Sequence, residues 1–108
     1  MPMYLGRFSY SSGSIKALVD NPVDRTETIS ATADSVGGKL HGLWYAFGEY
    51  DGYFLFEGPD SASALAFSAS VGQTGALTKI ETIPLISFAE GVEGFRKAQS
   101  ASYTPPDG

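Results

Sequence analysis

Hydrophobic residues alternate with polar or small residues in several short stretches of the chain. Within residues 3–10, Tyr4, Phe8 and Tyr10 occupy one parity and Leu5 the other, and a period of two is typical of a β-strand. The second and third stretches carry large apolar groups at both parities, which indicates strands covered on both faces. The alternation predicts four strands, over residues 3–10, 39–47, 51–57 and 76–86.

Between the first two strands, apolar residues follow helical spacing instead. Residues 15–19 contain an i, i+3, i+4 set of apolar side chains, which predicts a short helical turn. We expect a longer helix to begin at Asn21-Pro22, because Asn is a good N-cap and Pro is tolerated in the first turn. Gly37-Gly38 is expected to end this helix.

Two further helices are predicted in the second half of the chain. Asp60 is the expected N-cap of a helix whose apolar residues recur at i, i+3, i+4 and i+7. Ser87 and Glu90 form a capping-box pattern, which predicts that a last helix begins there. Residues 99–108 are rich in Ser and Pro, so we expect one domain over residues 1–98 followed by a loose tail.

The order β-α-β-β-α-β plus a terminal helix predicts an α+β, ferredoxin-like fold. Such a domain has a four-stranded antiparallel sheet with helices on one face. We expect the open face to carry Trp, Tyr and Phe side chains, and an aromatic surface of that size tends to be covered. A second copy related by a two-fold axis is the simplest cover. We therefore expect a homodimer, or a higher oligomer, whose sheets face each other as an α/β barrel.

Composition excludes several classes of function. The 108 residues contain no Cys, which rules out disulfides, thiolate zinc sites and a Cys nucleophile. The net charge of −5 argues against nucleic-acid binding by phosphate neutralisation, and no apolar run approaches the ~20 residues that cross a bilayer. With a single His we expect no metal site, and we also expect no cofactor, no membrane partner and a cytoplasmic location.

Three short motifs resemble the GYD family, which is named for a Gly-x-Tyr-Asp element. They are Gly37-Gly38-Lys39, Gly48-Glu49-Tyr50-Asp51 and Glu57-Gly58-Pro59-Asp60, and the similarity covers roughly residues 3–90. The resemblance implies a dimeric α/β-barrel domain of a family whose function is largely unknown. Its wider structural relatives include cofactor-free monooxygenases, haem-degrading enzymes and small isomerases, which usually work in a pocket between sheet and helices. Gly52 departs from the family pattern, in which a branched residue is more common.

Asp51 and His41 are the candidate general bases. A carboxylate at the start of a strand among aromatic residues can have a raised pKa, although an Asp beside a hairpin can equally accept hydrogen bonds from turn N–H groups. His41 is the one side chain whose ordinary pKa lies near neutrality, but a lone His is more often a packing or surface residue. Pairing centred on residues 48–49 places residue 41 near residue 56, which makes a His41–Asp51 contact within one chain doubtful.

Arg7, Trp44, Tyr45 and Tyr50 are candidate ligand-binding residues. Arg7 can bind an anionic substrate, or it can pair with Glu81 or with Glu57 across the sheet. Tyr50 can donate a hydrogen bond to a substrate oxygen, but buried tyrosines usually find a partner in the protein. Trp44 and Tyr45 can line an aromatic pocket, or they can belong to the core or to a dimer interface.

These candidate residues are compatible with two functions. The first is a small dimeric domain that binds a modest apolar or aromatic ligand, or serves in assembly, without turnover. The alternative is a cofactor-independent enzyme of monooxygenase or isomerase type, with Asp51 or His41 as the base. The enzyme needs a pocket of ~300 Å³ or more beside those groups.

Overall fold

The computed structural model describes residues 1–106. The strands are β1 (Met3–Tyr10), β2 (Lys39–Tyr45), β3 (Gly52–Glu57) and β4 (Leu77–Leu85). The helices are α1 (Ser12–Asp20), α2 (Thr26–Ser35), α3 (Ser61–Gly72) and α4 (Phe88–Gln99). The predicted tail begins at the last residue of α4, and its final two positions, 107 and 108, lie outside the described residues.

The four strands form one antiparallel sheet in the order β2-β3-β1-β4. This order and the element sequence confirm the predicted ferredoxin-like α+β fold. Helices α2 and α3 pack on one face, which we call the inner face, with α2 over β2 and α3 over β4. The opposite face is called the outer face.

Aromatic rings pack between the inner face and helix α3. Phe56 and Phe67 are almost fully buried, and their rings stack with centroids 4.7 Å apart. Phe54 meets Phe67 edge to face at 5.1 Å. Tyr4 and Phe8 extend this core along β1. Because rings in contact add to the free energy gained by burial, these residues anchor α3 to the sheet.

Glycines opposite the rings make this packing possible. In the β1–β3 register, Gly6 lies opposite Phe54, and Phe8 lies opposite Gly52. A Cβ at Gly6 would stand 1.8 Å from the Phe54 ring, and one at Gly52 would stand 2.3 Å from the Phe8 ring. Each ring thus crosses the neighbouring strand where a side chain is missing. The departure from the family pattern at Gly52 makes room for Phe8.

The outer face differs from the expected aromatic surface. The phenylalanines of the described strands all lie on the inner face. The outer face carries Trp44 and Tyr53 from the strands and Tyr50 from the β2–β3 turn. Aliphatic and charged side chains occupy the rest. By register and parity, the outer face also includes Met3, Leu5, Arg7, His41, Leu55, Glu57, Lys79, Glu81, Ile83 and Leu85.

Some predicted boundaries were wrong. The segment predicted as a short turn is the nine-residue helix α1, which Ser11 caps by accepting the Ser14 N–H. The next helix begins at Thr26 rather than at Asn21-Pro22. Asn21 closes α1 by donating its N–H to the Ala17 carbonyl, and the Asp24 carboxylate accepts both the N–H and the hydroxyl of Thr26.

The other predicted caps are confirmed. Asp60 accepts the Ser63 N–H at the start of α3, and Ser87 accepts the Glu90 N–H at the start of α4. The second strand ends at Tyr45, two residues earlier than predicted, and its pairing with β3 ends at Gly52. One further bond, from the Ala46 N–H to the Asp51 carbonyl, precedes the turn.

Replacing Gly6 with Ala tests the fit between strands and rings. The new methyl group overlaps the Phe54 ring, so we expect Gly6→Ala to lower the free energy of unfolding by about 2–3 kcal/mol in urea titrations. The matched control is Gly91→Ala in α4, where a Cβ meets open space; it should leave stability unchanged or raise it by up to about 1 kcal/mol. Equal effects of the two variants would contradict this packing.

Candidate functional site

A large cavity lies between the inner face and the helices, at the end of the sheet where β1 ends and β4 begins. Its volume is about 820 Å³. The residues that line its apolar interior include Phe8, Leu43, Phe54, Phe67, Leu77 and Ile80. Helix α1 forms one wall without burying any of its own residues. The exposed α1–α2 connection, residues 21–25, borders the opening.

Two tyrosines supply polar groups in this apolar space. The hydroxyls of Tyr10 and Tyr45 lie 3.5 Å apart, and both residues line the cavity. Burial, together with the hydrogen bond to Tyr45, raises the pKa of the Tyr10 phenol far above its ordinary value. Tyr10 therefore stays protonated at any physiological pH and acts as a hydrogen-bonding group, not as a base.

Asp51 contacts the backbone at the end of β1. Its Oδ2 accepts the Tyr10 N–H at 2.8 Å, and its own N–H donates to the Phe8 carbonyl at 2.8 Å. The β1–β3 pairing ends at Phe8 and Gly52, so the Tyr10 N–H lies beyond the paired part of β3 and bonds the Asp51 side chain instead. The Asp51 carboxylate thus bonds a backbone N–H, as the structural alternative predicts, but the donor belongs to β1 and not to the turn. Asp51 does not line the cavity.

His41 lies at the far end of the same hairpin. Its Nε2 contacts the Glu57 Oε1 at 2.7 Å, and this bond holds the pKa of the Glu57 carboxyl below its usual range. Asp51 precedes β3 and Glu57 ends it, so about 20 Å of strand separates the two carboxylates. The structure therefore does not bring His41 and Asp51 together within the chain.

Arg7 and Tyr50 meet on the outer face, together with Glu81. The Glu81 carboxylate accepts the Arg7 Nε–H at 2.6 Å and the Tyr50 hydroxyl at 2.5 Å. The Arg7 guanidinium lies over the Tyr50 ring, 4.3 Å from its centroid. Of the two partners predicted for Arg7, the structure selects Glu81. The Tyr50 hydroxyl and then Arg7 hold the pKa of the Glu81 carboxyl below its ordinary value.

Trp44 and Tyr45 point in different directions. Tyr45 faces the cavity, where its ring lies 6.3 Å from that of Tyr10. Trp44 borders the cavity, but its indole covers Gly42 on the outer face and is 54% exposed. Tyr45 is 65% exposed, so its side chain lies at the edge of the cavity rather than in its interior.

Sequence reasoning missed the importance of Tyr10 and of the α1–α2 connection. Tyr10 was placed in a strand by its parity, but no motif distinguishes it from a core aromatic residue. The polar residues Asn21, Asp24 and Arg25 border the opening in a segment that was predicted to be helical. Because the helix was predicted to begin at Asn21-Pro22 rather than at Thr26, these residues were not recognised as bordering the cavity.

Two features are absent from residues 1–106. That part of the chain holds no group of three or more His, Asp or Glu side chains suited to a metal ion. Nor does it contain a helix long and apolar enough to cross a membrane.

The outer-face carboxylate has a testable dependence on pH. The pKa of Glu81 in the folded state is below its ordinary 4.5. The ionised carboxylate therefore stabilises the fold at pH values above 4.5, and this stabilisation is lost as the pH falls through the lower pKa of the folded state. We expect Glu81→Gln to be less stable at neutral pH and to lose less stability between about pH 5 and pH 2.

Urea titrations across that pH range measure the effect. Glu27→Gln is the control, because Glu27 is exposed and has no hydrogen-bond partner among residues 1–106. A Glu81→Gln profile parallel to that of the unmodified protein would show that the Arg7–Tyr50–Glu81 contacts do not stabilise the fold.

Comparison with known proteins agrees with the fold. The crystal structure of FFRP-DM1 matches with a TM-score of 0.57 at 14% identity, covering 80% of this chain and 100% of that one. At that sequence identity the match supports the fold and nothing further. No curated protein matches the sequence. The model of the GYD domain matches residues 4–93, which include Tyr50, Asp51 and the strands around them, and the chain therefore belongs to the GYD domain family.

Proposed function

We propose that this protein is a homodimeric binding domain for a small apolar or aromatic ligand. The observation that carries the proposal is the cavity of about 820 Å³ between the inner face and the helices. Cavities of about 300–1,000 Å³ with apolar walls and few polar groups are typical of small-molecule sites. A packed domain interior has no such void, because its side chains interdigitate.

The cavity walls favour a ligand with rings. Phe8, Phe54 and Phe67 present aromatic surface, and aliphatic residues of β4 and α2 complete the walls. Aromatic side chains attract other rings in offset or edge-to-face geometry. The ligand gains further free energy by removing its own apolar surface from water.

Binding is favoured over the enzymatic alternative by the positions of the two candidate bases. Asp51 uses its carboxylate to accept the Tyr10 N–H, and His41 contacts Glu57. Neither residue lines the cavity. A general base must lie within hydrogen-bond reach of the proton it removes, so a ligand in this cavity of one chain meets neither of them.

Filling the cavity tests the binding proposal. Titration with 2-naphthol should raise the melting temperature by about 5–10 °C at tenfold the Kd, because the ligand binds only the folded state. Val71→Phe places a ring in the cavity and should abolish the shift. Val19→Phe on the exposed side of α1 is the matched control and should preserve it. If the unmodified protein shows no shift with 2-naphthol or with related phenols, the binding proposal fails.

The dimer is supported by the apolar surface that one chain leaves uncovered. Leu5, Leu55 and Ile83 lie side by side at the centre of the outer face. No helix of the described chain packs on that face, because α2 and α3 cover the inner one. A second sheet would cover these residues and the Arg7–Glu81 pair together.

Helix α4 adds a second uncovered apolar surface. Phe88, Val92 and Phe95 recur at i, i+4 and i+7, and the two phenylalanines are 98% and 77% exposed. The chain has a radius of gyration of 17.7 Å and a longest dimension of 60 Å, whereas a compact chain of this length has a radius of about 13 Å. An extended arm with an apolar stripe fits a surface on another copy.

Light scattering tests the dimer. At micromolar concentration the protein should have about twice the chain mass of 11.4 kDa. Leu55→Glu buries a charge in the proposed interface and should yield folded or partly unfolded monomers, while Val19→Glu on exposed α1 should stay dimeric. Circular dichroism separates dissociation from unfolding. A monomeric unmodified protein would overturn the dimer and leave the cavity proposal standing.

A further inference from the structure

We infer that the Tyr10–Tyr45 hydroxyl pair selects an uncharged ring compound bearing a hydrogen-bond acceptor, such as an aryl ketone or a quinone-like carbonyl. The inference rests on the proposed function and specifies the chemical class of its ligand. It starts from the two hydroxyls, 3.5 Å apart, at the edge of a cavity whose interior walls are apolar.

A count of hydroxyl protons identifies the ligand's polar group. Two hydroxyls carry two protons, and one hydrogen bond between them uses one proton. The second proton is left for another acceptor. Among residues 1–106 neither hydroxyl has a further hydrogen-bond partner. The pair is exposed to water in the free protein, and a ligand that occupies the cavity displaces that water. A donor left covered without an acceptor costs free energy, so a ligand with an oxygen that accepts this proton binds more tightly than one without it.

The pair is suited to donating rather than to taking up a proton. The raised pKa of the Tyr10 phenol keeps it neutral, and a neutral phenol is a good hydrogen-bond donor to a carbonyl oxygen. A general base or a phenolate nucleophile would need the opposite shift. The hydroxyl pair therefore recognises its ligand without reacting with it.

The charges around the cavity disfavour an anionic ligand. Asp24 and Arg25 are the charged residues that line it. The pKa of the Asp24 carboxyl is lowered by its bonds to Thr26, so it stays ionised. Asp51 adds a second carboxylate behind Tyr10, held by the Tyr10 N–H. These carboxylates offset the guanidinium of Arg25, and the apolar walls penalise a buried ligand charge.

Three naphthalenes of similar size separate the possibilities. 2-Acetylnaphthalene carries a carbonyl acceptor, 2-isopropenylnaphthalene has a CH₂ group in place of that oxygen, and 2-naphthoate is an anion. Calorimetric or fluorescence titration of the unmodified protein gives a Kd for each compound. We expect both neutral compounds to bind more tightly than 2-naphthoate.

The hydroxyl pair is tested by a mutant cycle. The ratio of the isopropenyl Kd to the acetyl Kd should fall about five- to tenfold in Tyr10→Phe/Tyr45→Phe, the change expected when one hydrogen bond is lost. The two compounds differ in how strongly water solvates them. This difference cancels when the Kd ratio of the variant is compared with that of the unmodified protein. Each single variant retains one hydroxyl, so its Kd ratio should fall less than that of the double variant. Tyr103→Phe, at an exposed position outside the cavity, should keep it unchanged.

An infrared measurement gives an answer even if the double variant fails to fold. The carbonyl stretch of 2-acetylnaphthalene bound to the unmodified protein should lie at lower frequency than in an alkane solvent. An unchanged ratio in the double variant, an unshifted carbonyl stretch, or tighter binding of 2-naphthoate would overturn the inference. Failure of all three compounds to bind would overturn the proposed function itself.

Discussion

The reciprocal fit of phenylalanine rings over glycines on β1 and β3 is the constraint on which the inner face depends. Phe54 lies across Gly6, and Phe8 lies across Gly52. Both rings can then lie flat against the central strands, and Phe54 is placed to meet Phe67 of α3. A side chain at either glycine would move a ring and, with it, the helix that the ring supports.

The cavity follows from the same arrangement. Phe54, Phe56 and Phe67 gather in one cluster under α3, whereas α1 lies over the other end of the sheet without burying a residue. The space between them is closed by Tyr10, Tyr45 and the α1–α2 connection. Asp51 contributes indirectly, because its carboxylate holds the Tyr10 N–H where the β1–β3 pairing ends. The Asp of the family motif thus positions a tyrosine of the proposed site.

The outer face combines aliphatic residues with the Arg7–Glu81 ion pair. The bonds of Arg7 and Tyr50 to Glu81 neutralise the charges of a surface that we propose to be covered by a second copy. A buried ion pair is tolerated in an interface when its hydrogen bonds are satisfied. The proposed binding site and the proposed interface consequently use opposite faces of one sheet, and a change in one need not disturb the other.

The sequence by itself determined the ferredoxin-like order of elements, the caps at Asp60 and Ser87, and the family motif, because these depend on local periodicity and on side chains a few residues apart. It also limited the partners of Arg7 to two. Only the tertiary structure decided which face each strand parity occupies, that His41 meets Glu57 rather than Asp51, and that Tyr10 faces a cavity. These facts depend on strand register, on the bulge after Leu40 and on where α2 begins. Strand register and the bulge are set by contacts between distant residues, which no local pattern encodes. The start of α2 is set locally, by the Asp24 bonds to Thr26, but the part it plays at the cavity opening appears only in the folded chain.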